Sequence, residues 1–366
     1  MRFTCERSIL LKEIAIAQEI ISSKNVISIY SNIFLEADND TLFIKATDTK
    51  VNFQTKVPVT VEESGSITVF GEKFLGILNS CPEGEVIFDQ KETIITIKSS
   101  VKKANWQLKS IAAEKFPEFA VSTVESFDLP IRDFKDMIEQ TIFAVSDDET
   151  RYFMNGVFFE KAEDKIIMVA TDGRRLAYIA KTADSAIKDF SGIIVPPKIL
   201  NILAKRAGDE GPVSISVTDK TIFIKFGSYS LSSVLLEGQF PNYRRVIPEN
   251  LGNSCSINRL DTLDALRRVS LLVEQKSRRV YLGLAPGSMA VYSEDSELGT
   301  AREEIPCKYD GPEVSIALNY HYLEEPFKAM DEEDIVIKFG DTTKAIIVQP
   351  VPERDLFHII MPMQLD

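Results

Sequence analysis

Histidine and cysteine are scarce in this chain. It carries two histidines, His321 and His358, and four cysteines, Cys5, Cys81, Cys255 and Cys307, in 366 residues. Neither histidine has a partner at ligand spacing, and no two cysteines stand at metal or redox spacing. The sequence signatures of zinc sites and disulfide scaffolds are therefore missing, which suits a reduced, cytoplasmic protein. Glycine and proline number only 17 and 16, and no low-complexity tract is present. No glycine-rich phosphate loop and no nucleophile–base pattern occurs. No apolar run approaches the length of a membrane span. The start, "MRFTCERSILLKE", lacks the apolar core of a signal peptide. The expectation is a cytoplasmic protein with no cofactor, no metal and no membrane partner. Positive charge is also in deficit: 42 Lys and Arg against 55 Asp and Glu leave a formal net charge of -13. That argues against coating nucleic acid with a broadly basic surface, though not against local basic patches.

What is present is a repeat. The first pass along the chain has a helical "ERSILLKEIAIAQEII" with Leu10, Ile14, Ala17 and Ile21 on one face. Strand-like runs, a second helix ("GEKFLGILNSC") and further strands follow. The same order returns from "PIRDFKDMIEQTIFAV", whose Ile131, Phe134, Ile138 and Ile142 share a face, and again from "NRLDTLDALRRVSLLVEQ". Thr47-Asp48, Thr171-Asp172 and Glu294-Asp295 occupy the same place in each copy, as do Phe116-Pro117, Phe240-Pro241 and Met361-Pro362. A unit this long reads as a small α+β domain rather than a solenoid blade. Boundaries are expected at 1–122, 128–246 and 254–366, with the polar stretches "VSTVES" and "PENLGNS" between them.

The stretch "VATDGRRLAYI", Val169 to Ile179, poses the functional question. Asp172-Gly173 before two arginines suits a phosphate cradle, a catalytic aspartate or a tight turn. Its place between two alternating apolar runs favours the turn. Tandem sheet-bearing units also have an edge problem, since unpaired edges invite association. Pairing neighbours covers the inner edges, and a two-fold dimer joining first unit to third would close a ring.

Over its whole length the chain resembles a known family, the bacterial sliding clamps, beta subunits of DNA polymerase III. The residues that carry this are "MRFTCERSILLK", "RYFMNGVFFE", "VATDGRRLA", "GQFPNYRRVIP" and the terminal "IIMPMQL". The resemblance implies three tandem clamp domains and a head-to-tail homodimeric ring, with helices lining the hole and sheets outside. Duplex DNA would be encircled and the polymerase tethered to one face, without catalysis. It also implies a groove for partner peptides at Met154, Thr171, Gly173, Arg174, Arg175, Leu176, Pro241, Arg245, Val246, Ile359, Met361, Pro362 and Met363, with Thr343 and Ala345 beside it. Methionines and aliphatics make an adaptable surface for several partners. Those implied are the replicative polymerase, the clamp loader, and other polymerases and repair proteins.

The DNA-facing candidates are Lys24, Lys73, Lys198, Lys205, Arg206, Arg267, Arg268 and Lys276, with Lys12, Lys135 and Lys328 on the same helices. The acids Glu13, Asp136, Glu139 and Asp264 on those helices make the lining mixed. In the loop "SDDETRYF", Tyr152 and Phe153 match aromatic positions that contact DNA in the family, while Asp147, Asp148 and Glu149 weaken phosphate contact. Trp106, on the last edge strand of the first unit, matches a dimer position that faces Leu271 and Leu272. Lys102 and Lys103 would pair with Glu297, Glu303 and Glu304 across that interface. The chain departs from the family at Arg174, Gln364 and Asp366, and "VISIYSNIF" lacks a proline that often precedes this strand. Two other readings remain. "SDDETR" with Asp172 would hold a metal for phosphoryl chemistry, or the repeats would form a protein-only scaffold with a peptide groove.

Overall fold

The computed structural model describes residues 1–21, 29–184, 187, 190–249, 251–297 and 299–364. The first repeat runs β1 (Arg2–Glu6), α1 (Arg7–Ile20), β2 (Asn32–Asp38), β3 (Thr41–Thr47), β4 (Val51–Pro58), β5 (Thr60–Glu63), β6 (Gly65–Phe70), α2 (Gly71–Ser80), β7 (Glu85–Lys91), β8 (Ile94–Ser99) and β9 (Asn105–Ile111). The second runs β10 (Phe127–Pro130), α3 (Ile131–Glu139), β11 (Val157–Ala162), β12 (Lys165–Thr171), β13 (Arg175–Thr182), β14 (Ile193–Val195), α4 (Pro197–Arg206), β15 (Pro212–Val217), β16 (Thr221–Phe226) and β17 (Tyr229–Val234). The third runs β18 (Asn253–Asn258), α5 (Arg259–Val269), β19 (Arg279–Ala285), β20 (Ser288–Ser293), β21 (Arg302–Lys308), β22 (Val314–Asn319), α6 (Tyr320–Ala329), β23 (Asp334–Phe339), β24 (Ile346–Val351) and β25 (Leu356–Ile360).

Residue contacts gather these elements into two compact units, Met1–Arg132 with Asn201–Leu235 and Asp133–Leu200 with Leu236–Asp366. Each unit holds one antiparallel sheet, and each sheet continues from one repeat into another. In the first unit β17 pairs with β4, from Ser230↔Gln54 to Ser233↔Val51. In the second, β25 pairs with β13, from Leu356↔Ile179 to Ile360↔Arg175. The inner edges are therefore paired, as the edge argument requires.

Helices cover one face of each sheet. On α1, Leu10, Ile14, Ala17 and Ile20 are buried, and Ile21 is buried just past its end. The spacing is that of one helical stripe. Glu13 is buried with them and accepts a hydrogen bond from Tyr229 Oη at 3.0 Å. The second helical stripe is shorter than expected. α3 stops at Glu139, and Ile142 falls in a 3-10 turn, Ile142–Ala144. Thr141 ends it by turning its hydroxyl back onto the Met137 carbonyl at 2.7 Å. The third landmark also falls out of step. Phe116 and Phe240 are buried several residues beyond β9 and β17, whereas Met361 follows β25 directly and is exposed.

Among the described residues, the end strands β5, β10, β14 and β22 have one open side, and so do long stretches of two strands inside the sheets, β9 and β21. β9 pairs with β8 through Asn105–Lys109 but with β6 only through Ser110 and Ile111. β21 pairs with β20 through Arg302–Pro306 but with β18 only through Cys307 and Lys308. Trp106 is thus not on a terminal strand of its sheet. β9 bridges β6 and β8, and only its first five residues are open on one side.

Candidate functional site

The TDG stretch is a turn, and its chemistry is capping. Asp172 Oδ1 accepts the backbone N–H groups of Arg174 (2.8 Å) and Arg175 (3.0 Å), and Thr171 Oγ1 accepts that of Gly173 (3.1 Å). Gly173 sits at φ +87°, in the left-handed region, and a Cβ there would meet the Arg151 guanidinium at 2.8 Å. The first repeat builds the same turn with Asp48 Oδ1 capping Lys50 and Val51. There Thr49 takes the left-handed position at φ 81°, a strained place for a β-branched residue. The third repeat replaces the turn by a longer link, closed where the Ser293 N–H meets the Ala301 carbonyl at 2.9 Å.

Below this turn lies a groove of about 170 Å³ in the second unit. Ten of the expected residues line it: Met154, Thr171, Gly173, Arg174, Arg175, Leu176, Pro241, Val246, Ile359 and Met361. Asn242 and Tyr243 also line it and were missed by sequence reasoning. The signal was available, since both lie inside "FPNYRRV". The floor is a buried cluster that includes Val169, Leu176, Tyr178, Phe240, Tyr243, Ile347 and Ile359. Val246 and Met361 are 55% and 45% exposed, so the rim offers apolar surface to solvent. Tyr243 Oη donates to Glu160 at 2.7 Å, and Arg244, stacked on the Tyr243 ring, reaches the same carboxylate at 2.6 Å. Burial and the Glu160 contact push the Tyr243 phenol well above its ordinary range.

The other expected groove residues lie around it. Arg245 is exposed in the 3-10 turn Tyr243–Val246 and does not line the cavity. Ala345 packs against the buried cluster beneath. Thr343 is exposed in a turn capped by Asp341, whose Oδ1 takes the Thr343 N–H at 2.9 Å. The tail is fastened on both sides: the Met361 N–H donates to the Arg174 carbonyl (2.9 Å) and the Met363 N–H to the Ala317 carbonyl (2.8 Å). Pro362 lies between these two anchors, half-buried. Met363 and Pro362 hold the strap, while Met361 reaches the groove.

Arg175 differs from its neighbour Arg174. Its residue borders the groove, but its guanidinium is locked elsewhere. Nε donates to Asp172 Oδ2 (3.1 Å), Nη2 to the Phe143 carbonyl (2.5 Å) and Nη1 to Glu325, and the plane stacks on Tyr322 at 4.7 Å. A fork so fully engaged is a structural clamp rather than a ligand hook. Arg174, by contrast, has an exposed side chain.

The acidic loop before the groove is also spent on structure. Asp148 accepts from Thr150 N (2.9 Å), Thr150 Oγ1 (2.6 Å) and Arg151 Nε (2.8 Å), which lower its carboxyl pKa. Tyr152 is exposed, whereas Phe153 is half-buried against the apolar cluster. Phe153 is therefore mainly a packing residue. No group of three or more His, Cys, Asp or Glu side chains poised for a metal occurs among the described residues.

The basic candidates are mostly paired within the chain. Lys73 meets Glu72 at 3.0 Å, Lys205 and Arg206 share Glu19 at 3.2 and 3.8 Å, and Arg267 meets Asp264 at 3.4 Å. Lys198 lies in the first turn of α4, and Lys276 in the loop beyond α5. Lys24 lies outside the described residues. Exposed pairs of this kind are worth roughly 0–1 kcal/mol, so a phosphate can displace them at little cost. Arg268 is bidentate with Glu303 (2.8 and 2.5 Å). Glu304 meets Arg302 at 2.9 Å. Within one chain Glu303 and Glu304 thus already have partners, Arg268 and Arg302. The reason is local: β21 carries both glutamates alongside α5 and Arg302. Glu297 is exposed, and Lys102 and Lys103 are exposed in the turn before β9. Leu271, in the 3-10 turn after α5, is 77% exposed, and Leu272 beside it is half-buried.

Each repeat matches a family model. Residues 1–120 match the N-terminal domain of the DNA polymerase III beta subunit, 128–242 its central domain and 244–364 its C-terminal domain. The chain belongs to the DNA polymerase III beta subunit family, the sliding clamps. Its function is that of a replication clamp, which confers processivity on DNA synthesis. It is 44% identical over 371 residues to the beta sliding clamp of Treponema pallidum, with 100% of each chain covered. The beta sliding clamp of Synechococcus elongatus is 28% identical over 377 residues, again with both chains fully covered. A crystal structure of a DnaN sliding clamp from Bartonella birtlesii, bound to griselimycin, superposes with a TM-score of 0.93 at 28% identity and full coverage of both chains. Among the described residues no helix is long and apolar enough to cross a membrane.

Proposed function

We propose that two copies of the chain close head to tail into a ring that encircles duplex DNA, with each repeat (1–122, 128–246, 254–366) acting as one clamp domain. The observation that carries this is that β9 and β21, the two strands left over from the pairing that joins the repeats, each keep an open stretch. The last strand of the second repeat pairs with the fourth strand of the first, and the last strand of the third pairs with its counterpart in the second. The remaining partners in that series are β9 and β21, and these are the strands left open over Asn105–Lys109 and Arg302–Pro306. One chain cannot complete the series, whereas two related by a dyad complete it twice. Trp106 on β9 and the exposed Leu271 then supply apolar anchors.

The apolar groove takes short peptide segments of the replicative polymerase and, in turn, of the clamp loader and other DNA polymerases and repair proteins. Its methionine rim and preformed floor support this. The protein works by topology and tethering, without catalysis, in the cytoplasm. The net charge of -13 suits that mode, because encirclement needs no strong contact affinity and an acidic surface limits nonspecific sticking.

The test is retention on a nicked circular plasmid after loading by the cognate loader. Protein that survives a high-salt wash and leaves when the circle is cut is held topologically. Equal retention before and after cutting refutes encirclement. Replacing Leu271 and Leu272 with alanine shifts the dimer toward monomer in sedimentation. An unchanged dimer would place the interface elsewhere. Deleting the chain from Met361 onward abolishes polymerase binding and spares dimerisation.

A further inference from the structure

The first unit contains a second cavity at the position where the second unit has its groove. It measures about 200 Å³ and lies over the β4–β17 junction, roofed by Phe119–Ser122. The strand registers make the correspondence explicit. Asn52 and Gln54 on β4 stand where Leu176 and Tyr178 stand on β13. Ser230 and Ser232 on β17 stand where Phe357 and Ile359 stand on β25. The geometry is repeated, and the chemistry is reversed.

Two cross-strand rows form the floor. One row, Thr47–Asn52–Ser232, is closed by its own hydrogen bonds: Thr47 Oγ1 donates to Asn52 Oδ1 (2.6 Å), and Asn52 Nδ2 donates to Ser232 Oγ (3.0 Å). The other row runs Lys45–Gln54–Ser230–Lys225 through successive register pairs. Lys45 lies over the Phe34 ring at 4.9 Å. Among the described residues, the Gln54 amide, the Ser230 hydroxyl and the Lys225 ammonium have no side-chain hydrogen bond or ion pair. Rows in a sheet repeat about every 4.8 Å, so the three side chains offer donors along a line of about 10 Å. No Asp or Glu lines the cavity, although acids outnumber bases in the chain.

We infer that this cleft is a second peptide-docking site, which takes a short acidic segment of a partner protein in extended form. The Lys225 ammonium, which donates and cannot accept, receives a glutamate or aspartate carboxylate, and the Ser230 hydroxyl and Gln54 amide, which can each donate, add hydrogen bonds beside it. Phe119 and the exposed Val121 of the roof cover an adjoining apolar residue. A phosphate backbone suits the site less well, because single-stranded nucleic acid needs a basic groove that tracks many phosphates. The peptide nature of the occupant rests on the repeat relation to the groove and its reading as a peptide site. The cleft's preference for an anion does not.

The experiment is methyl NMR on the full-length protein, titrated with an acetylated, amidated hexapeptide carrying two glutamates and one phenylalanine. Its glutamine counterpart serves as the matched control. The expected result is saturable shifts at Ala120, Val121 and Leu231, with Met361 and Ile359 unmoved. The glutamine peptide and the Lys225→Glu variant each bind about tenfold more weakly or worse, the scale of a lost charge-assisted hydrogen bond. Ser230→Ala, which removes only a hydroxyl, weakens binding in the same direction if Lys225→Glu perturbs folding. Absence of shifts at the three cleft methyls overturns the proposal, as does equal binding of both peptides. Shifts there with an oligothymidine but not with the acidic peptide overturn it in favour of nucleic acid. A separate titration with an apolar glutamine-containing peptide, read at Met361 and Ile359, tests the groove, so the two readings fail independently.

Discussion

The groove of the second unit and the cleft of the first are one backbone arrangement with two chemistries. In both, the last strand of one repeat pairs antiparallel with the strand after the aspartate-capped turn of another, and a segment following a Phe-Pro pair runs over the junction. In the groove the cross-strand rows are Val169–Tyr178–Phe357 and Thr171–Leu176–Ile359–Ile347, with Tyr178 and Phe357 stacked at 4.5 Å. In the cleft the matching rows carry Lys45, Gln54, Ser230, Thr47, Asn52 and Ser232. Sheet pairing needs only backbone groups, so the junction is free to be apolar or polar on its outer face. The apolar version makes an adhesive surface, and the polar one selects by charge.

The largest way to break the contrast is to write the cleft's residue into the groove. Leu176→Asn puts an unsatisfied amide into the buried cluster and costs about 3 kcal/mol. Urea denaturation should show that loss, and binding of apolar peptides should vanish. Undiminished stability would mean that the floor is less dry than its burial indicates.

Next comes the clamp behind the groove. Arg175→Lys loses the fork between Asp172, Glu325 and the Phe143 carbonyl and should destabilise by about 2 kcal/mol. Arg174→Ala, on the exposed neighbour, should leave the melting temperature within error while changing peptide affinity. Equal thermal effects from the two would erase the division of labour between them.

A third contrast is a matter of pH. His358 on β25 is buried beside Phe143, and burial, with the Arg354 and Arg175 charges, lowers its pKa from 6.5 to about 3. Its counterpart on β17 is Leu231, which does not titrate. Below pH 6.5 the unfolded chain takes up a proton that the folded chain refuses, so stability falls as pH drops toward about 3. The slope contributed is at most about 1.4 kcal/mol per pH unit. His358→Leu should flatten that part of a stability–pH curve measured between pH 4 and 7. An unchanged slope would assign the acid sensitivity to other groups.

The smallest effect separates the two turns. Thr49→Gly should stabilise the first repeat by up to about 1 kcal/mol, because glycine accepts the left-handed conformation without strain. Gly173→Thr should do the opposite and also displace Arg151. Chemical denaturation of both variants decides whether the strained threonine is tolerated or compensated.

Much of this was legible in the chain itself. Period-3.6 stripes such as Leu10, Ile14 and Ala17 located the helices. The Thr-Asp landmarks exposed the repeat, and "VATDGRRLAYI" read as a turn, because turn chemistry and apolar alternation are local properties. Ten of the residues that the family resemblance implies for the groove line the cavity. What escaped were properties that depend on who sits opposite. Arg175 reads like Arg174 until Glu325 and Tyr322, distant in sequence, close around its guanidinium. Nothing near Glu303 in sequence signals Arg268, 35 residues away, which reaches it in the fold. Cys255 and Cys307, far apart in sequence, are brought onto the paired strands β18 and β21.

The sequence alone determined three copies of an α+β unit and the turn at Asp172-Gly173, since each is set by spacing within a few dozen residues, while the groove residues came from the family resemblance. The tertiary structure alone decided which strands pair across repeats, that β9 and β21 keep an open side, and that one junction is greasy while its twin carries two rows of polar side chains. Those facts are long-range. Register between strands more than a hundred residues apart follows from the packing of whole faces, which no local pattern encodes.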